Sequence, residues 1–360
     1  MRRQSAEAPI SWVFRFLNRV SPRSRAEARP STPQRDKEST GTRFSPTTGA
    51  EPPHTSQDDI MRHPCICVIG GTGFVGRHLL NRLSGAGYRT RVPTRHPHRY
   101  RHLRLVPDCE LVPIDHWDES SMSDLMTGCD AVVNLVGILN EGGGRTFEQT
   151  HVGMVESTTR AALAAGVGAY LHMSALNADP AGPSDYLRSK GRGEAVALAA
   201  GELGLAVTVF RPSVIFGPGD GLFNRFASLL RVLPGPFPLA CAEARFAPVY
   251  VGDVASAMLR TLEDPASRGT IYELCGPRTF ALRDILSYTG GHIGRKVRVI
   301  ALSDRLAQIQ ARIFEKLPGK PFSTDNYLSL QIDSLCREDG LGRLGITPTD
   351  VDAVVPVFLG

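Results

Sequence analysis

The stretch Cys65-Ile-Cys-Val-Ile-Gly70-Gly-Thr72-Gly73-Phe74-Val75-Gly76-Arg-His-Leu-Leu decides how the rest of the chain is read. An apolar run leads directly into a GxxGxxG triplet, and Leu79, Leu80 and Leu83 then recur on one face of a helix. Strand, glycine turn and helix in that order make an anion cradle. Gly70 supplies the tight turn, Gly73 lets the backbone approach a pyrophosphate, and Gly76 permits close packing of helix on strand. The helix N-terminus turns its free N–H groups toward the phosphates. The candidate phosphate contacts are therefore Gly70, Thr72, Gly73, Phe74, Val75 and Gly76. A glycine triplet alone is weak evidence, so the weight falls on the pattern of the chain beyond it.

That pattern is a regular alternation. Short apolar runs at 65–69, 88–94, 109–114, 131–136, 169–174 and 207–211 read as strands, and helical patterns lie near 74–86, 120–127, 146–166 and 184–201. This is an α/β class sequence, and the series predicts a Rossmann-type doubly wound parallel sheet. After Arg211 the rhythm loosens into Gly/Pro-rich runs, FGPGDG and LPGPFP. Residues 61–211 are thus expected to form the dinucleotide-binding domain. Residues 212–360 are expected to build mainly a smaller C-terminal substrate lobe, with some elements returning to the first domain. The 360 residues, 42% of them hydrophobic, hold ample material for a core and exclude collagen-like, coiled-coil and wholly disordered classes.

Residues 1–60 differ in texture. They hold 14 Ser/Thr and 7 Pro with one short apolar patch around Trp12 to Leu17, too little to offset the entropy of ordering. Seven arginines in the first thirty residues, against Glu7 and Glu27, suit an organelle transit peptide. Equally, MRHPCICVIGG from Met61 would open a dinucleotide-binding domain directly with its first strand. A cytoplasmic protein, at most peripheral at an inner membrane, is expected, or a mitochondrial-matrix protein if the extension is an import signal. No apolar stretch approaches the ~18 residues that cross a bilayer. The balance of 41 basic and 36 acidic side chains gives only +5, and no nucleic-acid partner is expected. The seven cysteines are odd in number and scattered, a pattern that suits reduced thiols.

The second strand settles the expected cofactor. An NAD-binding unit places an Asp or Glu about 20 residues past the last glycine, on the ribose hydroxyls. Here the strand ends Pro93-Thr94-Arg95, and the next acid is Asp108. Arg95, backed by Arg99 or Arg101, suits a ribose 2′-phosphate, so NADP(H) is favoured over NAD(H). Asp115, after the third strand, is placed to meet the adenine. Leu135, Val136 and Gly137, after the fourth, are expected to line the groove. His96, His98 and His102 are interleaved with arginines, whose charge opposes a metal, and no metal site is expected.

A catalytic constellation lies further along the chain. Tyr186 and Lys190 are four residues apart on one helical face, where an ammonium lowers a phenol pKa and reaches the nicotinamide ribose. Ser174 ends the fifth strand at the carboxyl edge, in position to bond a substrate carbonyl while Tyr186 moves the proton. The YxxxK spacing also recurs by chance on helices.

GGTGFVG, YxxxK, RPSVIFGPGD (211–220) and FAPVYVGDVASAM (246–258) resemble the extended or atypical branch of the short-chain dehydrogenase/reductase superfamily, the NAD-dependent epimerase/dehydratase-like proteins. More narrowly, NLVGIL (134–139), HMSALNAD (172–179) and YLRSKGRGE (186–194) resemble the nucleotide-binding accessory subunit of respiratory complex I and its bacterial relatives. The resemblance covers residues 61 to about 355. It implies a Rossmann domain holding NADPH, with Pro212 and Val214 beside the nicotinamide. It departs from the commoner pattern at His151, where an Asn often stands.

Three functions stay open. The first is an NADP(H)-dependent oxidoreductase linked to the quinone or respiratory pathway, with a quinone or isoprenoid-like substrate. The second is a non-catalytic nucleotide-binding subunit or assembly factor of a complex I-like assembly. The third is a nucleotide-sugar epimerase or dehydratase, for which the C-terminal lobe offers no diphosphate-binding pattern. Two further features stand out. The glycines in 140–146 suit either a mobile lid or a tolerated insertion. Leu302, Leu306, Ile309, Ile313 and Leu317 make a helical stripe opposite Arg305, Arg312 and Lys316, which is expected to pack on its own domain in preference to an anionic membrane.

Overall fold

The computed structural model describes residues 63–233, 235–317 and 320–359. The expected N-terminal extension, 1–60, lies outside the described residues. The chain alternates β1 (Cys65–Ile69), α1 (Phe74–Gly85), β2 (Arg89–Thr94), β3 (Cys109–Pro113), α2 (Glu119–Met126), β4 (Ala131–Asn134), α3 (Met154–Ala164), β5 (Ala169–Met173), α4 (Asp185–Gly201) and β6 (Ala206–Pro212). A seventh strand, β7 (Ile271–Leu274), pairs with β6. All seven are parallel, in the order β7-β6-β5-β4-β1-β2-β3. The order reverses between β1 and β4, and the crevice at their carboxyl ends is where such sheets take ligands.

Both faces of the sheet are covered because alternate residues of β1 point to opposite sides. Ile66 and Val68 pack with Leu79, Leu80 and Leu83 of α1 on one face. Cys67 and Ile69 pack with Met122, Met126 and Val155 on the other. Burying each large aliphatic side chain contributes about 1.5–3 kcal/mol. Beyond β6 come α5 (Phe223–Val232) and α6 (Val251–Glu263). Val254, Ala257 and Met258 of α6 join the cluster built on α1, so residues 251–274 return to the sheet. By contrast α5, α7 (Leu282–His292), α8 (Asp304–Phe314) and α9 (Thr324–Ser329) bury their apolar residues in separate, smaller clusters.

Four details differ from the sequence reading. The fourth strand stops at Asn134, whose side-chain oxygen accepts the Val136 N–H at 3.0 Å while its amide donates to the Tyr170 hydroxyl at 2.9 Å. The helix expected from 146 begins with a π-helical turn, Glu148–Gly153, that carries His151. The cysteines are not all thiols: Cys275 and Cys336, 61 residues apart, form a disulfide. Finally, the apolar stripe of α8 does not pack inward. Ala307 and Ala311 are its buried residues, while Leu306, Ile309 and Ile313 stay 52%, 51% and 56% exposed.

Candidate functional site

The phosphate cradle is built from backbone. Gly70 has φ +81°, in the left-handed region that glycine adopts without strain, and a Cβ there would stand 3.2 Å from Leu135 C and Val136 N. A Cβ on Gly73 would stand 3.2 Å from the Gly70 carbonyl oxygen, inside the mouth of the loop. A Cβ on Gly76 would come within 2.5 Å of the Gly71 Cα, so the third glycine is required by the loop's own backbone. Gly73 caps α1 without a side-chain bond, and the first turn holds no acid. The first helical N–H to find an acceptor is that of Arg77, which donates to Gly73 O at 3.1 Å; those of Phe74, Val75 and Gly76 have no backbone acceptor among the described residues. Free donors at a positive helix end, over a surface kept clear of side chains, fit a pyrophosphate.

The ribose end lies one strand further out. Thr94 of β2 pairs with Pro113 of β3, which brings Arg95 and Asp115 to one edge. Both side chains are exposed. Arg95 carries no ion pair among the described residues, and no acid stands between it and Asp108. A solvated cation in that place has the chemistry to meet an anionic group. Among the described residues no group of three or more His, Cys, Asp or Glu gathers as a metal site.

The far end of the crevice is assembled from distant pieces. Ser184 caps α4 by accepting the Leu187 N–H at 3.1 Å, and the Asp325 carboxylate of α9 accepts the N–H groups of Asp185 and Tyr186 at 2.6 and 3.2 Å. Tyr186 is half-buried, edge-on to the rings of Phe147 and His151. Burial, and then Asp325, push its phenol up to about 12, against the lowering expected from Lys190. Lys190 is buried and donates to the Met173 carbonyl at 2.6 Å, and burial pulls its ammonium down to about 8. Gly137 lies beside α4 and the π-helical turn: a Cβ on it would stand 3.7 Å from His151 Nε2 and 3.9 Å from Lys190 Nζ.

Ser174 is placed differently from its expected role. Its hydroxyl donates to the buried Glu194 carboxylate at 2.5 Å, and Glu194 is held by Arg211 in a two-pronged ion pair. The hydroxyl's proton is thus committed inside the protein. Pro212 and Val214 sit on a clamped segment: the Pro212 carbonyl accepts from Leu176 N–H at 3.0 Å, the Val214 carbonyl from Val249 N–H at 3.0 Å, and the Ser213 hydroxyl donates to the Ser334 carbonyl at 2.7 Å. The Cys275–Cys336 disulfide ties together the chain beside β7 and the chain beside Ser334, on either side of that segment.

His151 has a role beyond its departure from the commoner Asn. The Ile138 N–H donates to its Nε2 at 3.0 Å, so Nδ1 carries the proton and donates to Ser189 Oγ at 2.9 Å, and Ser189 donates to the Tyr186 carbonyl at 2.9 Å. Burial, and then the Lys190 charge, pull its pKa down to about 3 and keep it neutral. The chain of bonds joins the groove residues after β4 to the helix bearing Tyr186. Glu194 stands four residues after Lys190 and was open to the same spacing argument. Asp325, 139 residues from Tyr186, left no local signal.

Residues 66–275 match the model of the NAD dependent epimerase/dehydratase family. The chain belongs to that family. Its sheet and glycine cradle are the family's NAD(P)-binding fold. The chain is 29% identical over 292 residues to the mouse protein "NADH dehydrogenase [ubiquinone] 1 alpha subcomplex subunit 9, mitochondrial", covering 79% of this chain and 77% of that one. It is 29% identical to the ceramide reductase of Caulobacter vibrioides, over 66% of this chain and 75% of that one. Among solved structures it superposes on an Escherichia coli NADPH-dependent quinone oxidoreductase in complex with NADPH, with a TM-score of 0.66 and 19% identity, covering 81% and 99% of the two chains. Among the described residues no helix is long and apolar enough to cross a membrane.

Proposed function

We propose that this family member is an NADP(H)-dependent oxidoreductase that reduces the carbonyl of an apolar, quinone-like or isoprenoid-like substrate. The observation that carries the proposal is the presence of Arg95, without an ion-pair partner among the described residues, at the ribose end and of Tyr186 and Lys190 at the other. The relatives whose names include ubiquinone, ceramide and quinone support an apolar, carbonyl-bearing substrate. When bound, the nicotinamide would supply the hydride. Arg95 holds the 2′-phosphate, and the N–H groups of Phe74, Val75 and Gly76 hold the pyrophosphate. Lys190 spends one proton on Met173 and offers the others to the ribose hydroxyls. Tyr186, kept protonated by burial and by Asp325, is a proton donor at neutral pH, which suits reduction.

One observation favours a second reading. With the Ser174 proton given to Glu194, the site lacks the hydroxyl expected to polarise a carbonyl. A protein that keeps NADPH as a structural ligand within a respiratory assembly needs no such group, and ligand binding would stabilise it by mass action. Purified protein is to be mixed with NADPH and a panel of quinones and carbonyl compounds, following absorbance. Reductase chemistry predicts turnover that falls ~10² or more in Tyr186→Phe with nucleotide affinity retained. Absence of turnover across the panel, with Tyr186→Phe fully restoring a deletion strain and Gly73→Val failing to, establishes the structural reading instead.

A further inference from the structure

From the surface of α8 we infer that this helix docks the protein in the plane of an anionic lipid surface. Its inner side is settled. Ala307 and Ala311 are buried in one cluster with Ala240 and Tyr327, Gln308 donates to the Tyr327 hydroxyl at 3.3 Å, and Gln310 donates to the Pro238 carbonyl at 3.2 Å. Small residues and amides make that contact, and the large aliphatic side chains are left outside it. Leu306, Ile309 and Ile313, spaced three and four apart, form one continuous stripe, each about half exposed. Three branched apolar residues in a row on one helix face exceed the scattered exposure of an ordinary surface.

Charge decides what covers them. Arg305, Arg312 and Lys316, the last just past the end of α8, recur at seven and four residues, which sets them on one flank of the stripe and not opposite it as the sequence suggests; all three are exposed and none is in an ion pair among the described residues. Of the two acids, Asp304 sits in the first turn and Glu315 is taken up by Thr324, whose hydroxyl donates to it at 2.9 Å. Among the described residues of this segment, the outward stripe is therefore flanked by Arg305, Arg312 and Lys316. A second copy packed on this face by a two-fold axis would oppose like charges. Lipid does the reverse: the acyl boundary takes the stripe, and long Arg and Lys side chains reach up to anionic headgroups. The chain after α8 is tied to the site. The Lys320 carbonyl accepts from Asn140 at 3.4 Å, and Asn326 donates to the carbonyl of Leu139, itself 65% exposed. Docking thus sets the loop after β4 near the lipid, whether or not the protein turns over a substrate.

The test is flotation of the full chain with vesicles of phosphatidylcholine, alone or mixed with phosphatidylglycerol, at low and high salt. Wild type is expected to float with the mixed vesicles at low salt and to release as salt rises, because its cations are screened. Two triple variants, Leu306→Ser/Ile309→Ser/Ile313→Ser and Arg305→Gln/Arg312→Gln/Lys316→Gln, should each lower partitioning at least ~10-fold with an unchanged melting temperature. Flotation of both variants at the wild-type level assigns binding to another segment and overturns the proposal. So does a wild type that stays in solution, or one that sediments as a dimer which the aliphatic variant dissociates.

Discussion

The two ends of the crevice are built by different means. The phosphate end is a single run of chain, 65–83, in which strand, glycine loop and helix succeed one another, and the backbone contacts that shape its glycine turn come from the loop itself and from Leu135 and Val136 just after β4. The reaction end draws on α4, the π-helical turn at 148–153, β5, the 212–214 segment, α9 and the disulfide, pieces distant in sequence and joined by contacts such as that of Asn177 with Asp333 across 156 residues. The first end is fixed by local steric rules, whereas the second depends on the C-terminal lobe staying in place. Damage to that lobe should therefore reach Tyr186 while leaving the pyrophosphate cradle intact.

The disulfide gives the largest expected effect. Cys275→Ser opens a 61-residue crosslink, for which chain entropy alone predicts a loss of about 4 kcal/mol. Thermal melting should show that loss, and binding of NADPH at low temperature should persist because the cradle lies elsewhere. Loss of nucleotide binding with no change in melting would reverse the contrast between the ends. At the other end, Gly76→Val forces a side chain into the Gly71 backbone and should cost about 3 kcal/mol. Gly73→Val, with 3.2 Å to the Gly70 oxygen, should fold and fail to bind nucleotide, as calorimetry would show.

A further prediction concerns the join between the ends. His151 is neutral in the folded protein, with a pKa of about 3 against an ordinary 6.5. Below pH 6.5 the unfolded chain takes up a proton that the folded one refuses, so the unfolded state binds more protons and stability falls with falling pH. One such proton steepens the loss by about 1.4 kcal/mol per pH unit down to about pH 3. His151→Asn, which cannot titrate, should flatten urea-unfolding stability over that window; an unchanged slope would show that the His151 bonds to Ile138 and Ser189 are not held in solution.

Legibility in the sequence divides along the same line. Strands 65–69, 89–94 and 109–113 and helix 74–85 are readable because apolar period and glycine punctuation are local signals. Tyr186 and Lys190 are readable as a pair, since one helix face fixes them. The fate of Ser174 is not: its partner Glu194 lies on another element, and only the packing of α4 on β5 brings hydroxyl and carboxylate to 2.5 Å. The pairing of Cys275 with Cys336 likewise needs the crossing of two segments 61 residues apart, which no spacing reveals. The stripe of α8 is visible as a stripe, but periodicity reports only that a face is apolar. Which side turns outward is decided by two alanines.

The claim that organises the site is that Arg95, standing where an acid is usual, selects the 2′-phosphate. Titration calorimetry of the wild-type protein with NADPH and with NADH tests it most directly. The account predicts that NADPH binds at least ~10-fold more tightly, the ~1.4 kcal/mol within reach of one charge-assisted contact, and that Arg95→Asp reverses the order. Equal affinities, or tighter binding of NADH by the wild type, would contradict it.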